Sequence, residues 1–150
     1  MSDSTNRLSC NLNSSCDCVH VLSSMVEVMG HRAGLSDKET NRMILAVDEM
    51  FANIAQHGYH GREGKVEMSA AWHGGTLSFE LRDYASPLGK DEMLGWPVPG
   101  AGDDLTPGGL GMHLMQAVMD RIEHEALADG NRWRLIKYLG SVDPTRRAEP

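Results

Sequence analysis

Apolar residues recur three and four apart at Val19, Leu22, Met25, Val26 and Met29, the spacing that lines one face of an α-helix. Ser14-Ser15 stand ahead of that run as an N-cap, and Gly34 is placed to end it. A second stripe is stronger: Met43, Ile44, Val47, Met50, Phe51 and Ile54. Ser36-Asp37-Lys38-Glu39 opens this helix as a capping box, in which the Ser36 hydroxyl accepts the Glu39 amide and Glu39 reaches back. His57-Gly58 should close it, with Gly58 just past the last turn. Arg7 to Leu12 alternates weakly and reads as a short strand. Lys65–Ala70 and Thr76–Leu81 alternate with period two around His73-Gly74-Gly75, which predicts a hairpin. Leu110, Leu114, Met115 and Val118 mark a third helix that ends near Asp120. A second hairpin follows: Arg121–Leu127, a turn at Asp129-Gly130-Asn131, then Arg132–Leu139.

Strand, helix, helix, hairpin, long loop, helix, hairpin is the order of an α+β two-layer sandwich. Its helices lie on one face of a mostly antiparallel sheet. The folded domain should span residues 6–140, between a flexible N-terminus (1–5) and a flexible tail (141–150). Tyr84 to Pro107 holds Pro87, Pro97, Pro99 and Pro107 with four interspersed glycines, and a loop that long inside a compact domain usually carries function.

Composition narrows the options. The chain has 150 residues, enough for one domain, and is 41% hydrophobic, enough for a core. A net charge of −7 with no basic cluster disfavours nucleic-acid binding. Cys10, Cys16 and Cys18 are odd in number and lack a preceding signal segment, which points to a reducing cytoplasm. Their C-x5-C-x-C-x-H spacing with His20 matches no common zinc site. No apolar run reaches bilayer-spanning length. The methionines fall mainly at helical core spacing, and Trp72 and Trp133 read as structural strand residues. Trp96 lies between glycine and proline in the long loop.

Three features carry chemistry. Glu49 and Asn53 are four apart, so they share a helix face at the edge of the buried stripe. The Asn53 amide oxygen is a hard ligand suited to Mg²⁺, and Glu49 could act as a general base; the plain alternative is a solvated helix flank. His57 follows on the same face, either near phosphate or simply favoured at a helix end. Asp83 ends a strand, where its carboxylate could accept from an exocyclic amine such as adenine N6, or could simply open a turn. Gly108-Gly109-Leu110-Gly111-Met112 enters a helix, and free amides there suit phosphate, though the run is neither a P-loop nor a dinucleotide fingerprint.

The three in this order resemble the ATP-binding domain shared by gyrase B, heat-shock chaperone ATPases, histidine kinases and mismatch-repair ATPases. Ala46-Val47-Asp48-Glu49-Met50-Phe51-Ala52-Asn53-Ile54-Ala55-Gln56-His57-Gly58-Tyr59 and Gly108 to Met115 most resemble the bacterial anti-sigma-factor serine/threonine kinases, a likeness covering roughly residues 7–139. The resemblance implies the histidine-kinase-like ATPase fold, with ATP and Mg²⁺ as cofactors. Asn53 would hold Mg²⁺ and Glu49 would activate a serine hydroxyl. Asp83, with Ala85 and Pro87 beside it, would read adenine. Gly108, Gly109, Leu110, Gly111 and Met112 would meet the phosphates, with His57 nearby, under a lid at 84–107 that orders over the nucleotide along 88–107. The implied partners are a sigma factor and an anti-anti-sigma protein, with a homodimer as the working form. Two departures stand out. Ala85 replaces a usual glycine, and Pro107 stands where several kinase relatives carry a basic residue, with no Lys or Arg between Asp91 and Pro107. An ATP-gated binding module without phosphoryl transfer and a detached histidine-kinase ATP domain are the alternatives. No phospho-acceptor histidine box or dimerisation helix pair precedes the domain, which argues against a complete histidine kinase.

Overall fold

The structure is a computed structural model, and it describes residues 6–89 and 109–140. Strand β1 (Asn6–Asn13) leads through a 3₁₀ turn (Cys16–Cys18) into α1 (Val19–Arg32) and α2 (Asp37–Asn53), and α2 continues as a π-helical turn (Ile54–Gly58). A hairpin of β2 (Lys65–His73) and β3 (Thr76–Asp83) precedes α3 (Gly109–Val118) and a second hairpin, β4 (Arg121–Leu127) with β5 (Gly130–Tyr138). The strands form one sheet in the order β1-β2-β3-β5-β4, every neighbour antiparallel. This is the α+β architecture expected from the order of elements.

Period-two alternation sorts each central strand. Val66, Met68 and Ala70 of β2 and Leu77, Phe79 and Leu81 of β3 turn inward, while Glu67, Ser69, Glu80 and Arg82 lie on the open face. The helices cover the inner face with Leu22, Val26, Met29, Met43, Val47, Met50, Phe51 and Ile54, all buried in one cluster with the strand residues. Met25, Met29, Met43, Met50, Met68, Met115 and Met119 are all buried, so methionine serves as packing here. Helix α2 packs against both α1 and α3. Among the described residues no helix is long and apolar enough to cross a membrane.

The capping box of α2 is complete: the Glu39 amide donates to Ser36 Oγ at 3.1 Å, and the Ser36 amide donates to Glu39 Oε1 at 3.3 Å. The first hairpin turns on Gly74-Gly75, whose φ values of 55° and 82° are those of the two-residue turn that matches strand twist.

Three local expectations need correction. Ser14 and Ser15 do not cap α1, which starts at Val19 after the 3₁₀ turn with no side-chain cap. Ser14 Oγ instead accepts from the Gly64 amide and donates to the Arg62 carbonyl, both at 3.0 Å, pinning the end of β1 to the loop before β2. Gly58 is not a left-handed helix end, because the π turn runs through it and positive φ falls at His60 and Gly61. The second hairpin turns at Ala128-Asp129, since Leu127 pairs with Gly130, so Gly130 and Asn131 belong to β5. The expected N-terminal segment, the tail and most of the lid lie outside the described residues.

Candidate functional site

Glu49 and Asn53 lie one turn apart near the end of α2; Asn53 is only 3% exposed and Glu49 is half-buried. Beyond Asn53 the helix widens, and the Tyr59 amide donates five residues back to the Ile54 carbonyl at 2.9 Å. Such single π turns occur often at functional sites. His57 sits half-buried on this turn. Asp48, beside Glu49, takes a different role. Its carboxylate accepts the Ser23 hydroxyl of α1 at 3.0 and 3.3 Å, and burial raises its pKa above the ordinary aspartate value, against the lowering effect of that bond.

The widened turn delivers Tyr59 to the strand ends. Its hydroxyl donates to the Lys65 carbonyl at 2.6 Å and accepts from the Tyr84 amide at 2.7 Å. Burial is the main cause holding this phenol above its ordinary pKa, so it stays a neutral donor through physiological pH. Through it the end of the Asn53 helix is joined to the residue after Asp83.

Asp83 closes β3 with 0% exposure. Three donors hold its carboxylate: the Asn131 amide on Oδ1 at 2.9 Å, the Ala85 backbone N–H on Oδ1 at 3.0 Å, and the Trp133 indole on Oδ2 at 2.9 Å. An ionised carboxylate has about four acceptor positions, so one on Oδ2 is left by these three bonds. The Ala85 bond is the side-chain turn that Asp commonly makes two residues ahead. Ala85 is buried without positive φ, so the backbone accommodates alanine there. Pro87 is exposed.

Strand β5 reaches Asp83 closely because residue 130 is glycine. A Cβ at Gly130 would stand 2.0 Å from the Asp83 carbonyl oxygen, and its φ of 155° is one that L side chains rarely adopt. Arg82 clamps the same corner, pairing with Asp129, donating to the Asp83 carbonyl and lying 4.0 Å over the Tyr84 ring.

Gly109, Leu110, Gly111 and Met112 form the first turn of α3, which packs against the helix bearing Glu49 and Asn53. Gly108 lies outside the described residues, as do Trp96 and Pro107. Four further residues emerge at the site: Tyr59, Asn131, Trp133 and His124, whose Nε2 faces Asn131 Oδ1 at 2.9 Å. Tyr59 is visible in the sequence only as part of the His-Gly-Tyr motif. Asn131 sits next to a turn glycine, and Trp133 alternates like any strand core residue, so nothing local marked them as partners of Asp83.

Residues 12–137 match the family model described as the histidine kinase-like ATPase domain. The chain is 31% identical over 110 residues to a protein named serine-protein kinase RsbW of Bacillus pumilus, covering 63% of each chain. It is 29% identical over 97 residues to an anti-sigma F factor of a Thermoanaerobacter species, covering 64% of this chain and 68% of that one. The matched part therefore spans just under two thirds of the first relative and slightly more of the second. Among solved structures, the RsbU and RsbW domains of a Mycobacterium tuberculosis protein superpose with a TM-score of 0.62 at 15% identity, over 90% of this chain and 32% of that one. The histidine kinase domain of a blue-light-activated kinase of Erythrobacter litoralis gives 0.56 at 17% identity, over 81% and 61%. At those identities the superpositions speak to the fold alone.

Proposed function

Since the chain belongs to the histidine kinase-like ATPase family, we propose that it binds Mg–ATP and transfers phosphate to a serine or threonine of an anti-anti-sigma protein. On this reading it also holds a sigma factor inactive, as a cytoplasmic homodimer. The names of its relatives, a serine-protein kinase and anti-sigma F factors, support this reading.

The observation that carries it is the buried Asp83 carboxylate with one acceptor position left beside three fixed donors. That remaining acceptor position fits the N–H of an exocyclic purine amine. Asp83 has no accessible surface, so a purine would reach it where the chain is held by side-chain bonds and not by a strand ladder, along Tyr84–Leu88. The Asn53 carboxamide would supply the oxygen for the Mg²⁺, and the first-turn amides of α3 would face the phosphates. When bound, ATP supplies the phosphoryl group to be transferred. Glu49, one turn from Asn53, would take the proton of the incoming hydroxyl; its half-buried setting leaves it open to a protein substrate. Such chemistry depends on positioning and charge neutralisation, which suits so short a roll of reactive side chains.

Incubation with γ-labelled Mg–ATP and a candidate anti-anti-sigma protein tests this. Label recovered as phosphoserine or phosphothreonine is expected, and Glu49→Gln should bind nucleotide yet lose at least about 100-fold in transfer. Phosphohistidine would contradict the reading. The second reading, an ATP-gated module without transfer, is favoured by Pro107 and by the lack of Lys or Arg from Asp91 to Pro107. Tight ATP binding with no labelled product would select it.

A further inference from the structure

We propose that Asn131, seated by His124, is a positioning residue that aims Asp83 at the purine amine and ties that aim to the segment Ser86–Leu88; this rests on the nucleotide reading above. Asn131 is 1% exposed. A carboxamide offers two donor hydrogens and two acceptor lone pairs, and here all four are used. Its Nδ2 donates to Asp83 Oδ1 at 2.9 Å and to the Ser86 carbonyl at 3.1 Å. Its Oδ1 accepts from the Leu88 amide at 2.9 Å and faces His124 Nε2 at 2.9 Å. Only this orientation of the amide serves all four, because the reverse would set N–H against the Leu88 N–H and oxygen against the carboxylate. His124 must therefore carry its proton on Nε2.

Strand geometry makes the arrangement cooperative. Asn131 and Trp133 are two apart on β5, so they share the inner face, and each donates to a different oxygen of Asp83. One strand thus fixes the carboxylate plane. His124, paired with Trp133 across β4 and β5, lies against the indole with ring centroids 4.3 Å apart, so one side chain braces both donors. The same Asn131 amide grips Ser86 and Leu88, in the segment that follows β3. A shift of that segment must disturb either Asn131 or the bonds it makes to Asp83. In a fully saturated buried network, loss of one member leaves several others unpaired.

The test compares Mg–ATP with Mg–purine riboside triphosphate, which lacks the 6-amino group, on the full chain. The wild type is expected to prefer ATP by about tenfold, the worth of one buried hydrogen bond. Asn131→Ala should lose about tenfold in ATP affinity and under about twofold for the deamino nucleotide, so that the preference disappears. His124→Phe keeps the ring against Trp133 and should lose about threefold in the same selective way; if Asn131→Ala does not fold, this variant is decisive. Leu88 amide exchange should quicken in Asn131→Ala. Equal weakening of both nucleotides, a retained ATP preference, or tighter ATP binding would overturn the role of Asn131 while leaving the nucleotide reading intact. A wild type that binds neither nucleotide would overturn that reading and this proposal together.

Discussion

Asp83 gathers hydrogen bonds from three buried donors, and each depends on its being a carboxylate. In Asp83→Asn an NH₂ group would confront the Asn131 amide, the Trp133 indole or the Ala85 N–H, whichever way the new amide turned. At about 1–3 kcal/mol for each unpaired buried group, the melting temperature should fall by about 10 °C, measurable by calorimetry; an unchanged value would mean the network is not formed. Asp48 behaves in the opposite sense. Its pKa is raised in the folded chain chiefly by burial, so the folded state holds the proton more tightly than the unfolded one. Its stabilising contribution is present below the ordinary aspartate pKa and is lost as pH rises through the raised folded value. Denaturation of Asp48→Asn across pH 3 to 7 should lack that decline and leave the variant at least as stable as wild type at neutral pH. A parallel pH profile would contradict this. Of these residues, only Asp83 was legible in advance, from its place at a strand end. Its two side-chain donors, Asn131 and Trp133, come from about 50 positions later in the chain and are invisible to local pattern.

Helix α2 was the most legible element because stripe and capping box agree, and both are present. Ser36→Ala should therefore cost about 1 kcal/mol in chemical denaturation, and a loss under about 0.3 kcal/mol would show that the cap is not needed. The far end of the same helix was not legible. The π turn through Gly58 follows from tertiary demands, since Tyr59 must reach Lys65 and Tyr84. The start of α1 was misplaced for a similar reason, because Ser14 meets Gly64 and Arg62 across the fold. Strand β5 starts two residues before the expected Arg132, an offset that arises because Gly130 reads as a turn glycine in the sequence. Its role is to clear the Asp83 carbonyl.

At the scale of the whole molecule, the sheet and its helical layer place three separate parts of the chain around one corner. These are the end of α2, the end of β3 with β5, and α3 packed on α2. Alternation and helical spacing made this architecture readable, since a two-layer fold needs one apolar face per element and little else. The open face is bound laterally by ion pairs such as Glu80 with Arg132 and Arg134, exposed enough to contribute little to stability. The proposed function asks this corner to hold a metal-bound triphosphate between Asn53 and the start of α3, with its base against Asp83. Calorimetric titration of Mg–ATP into the full chain and into Asn53→Ala tests this most directly. One site per chain is expected, lost in the variant and on removal of Mg²⁺, with the melting temperature of the variant close to that of wild type. Equal affinity in both proteins, or no heat from either, would contradict the account.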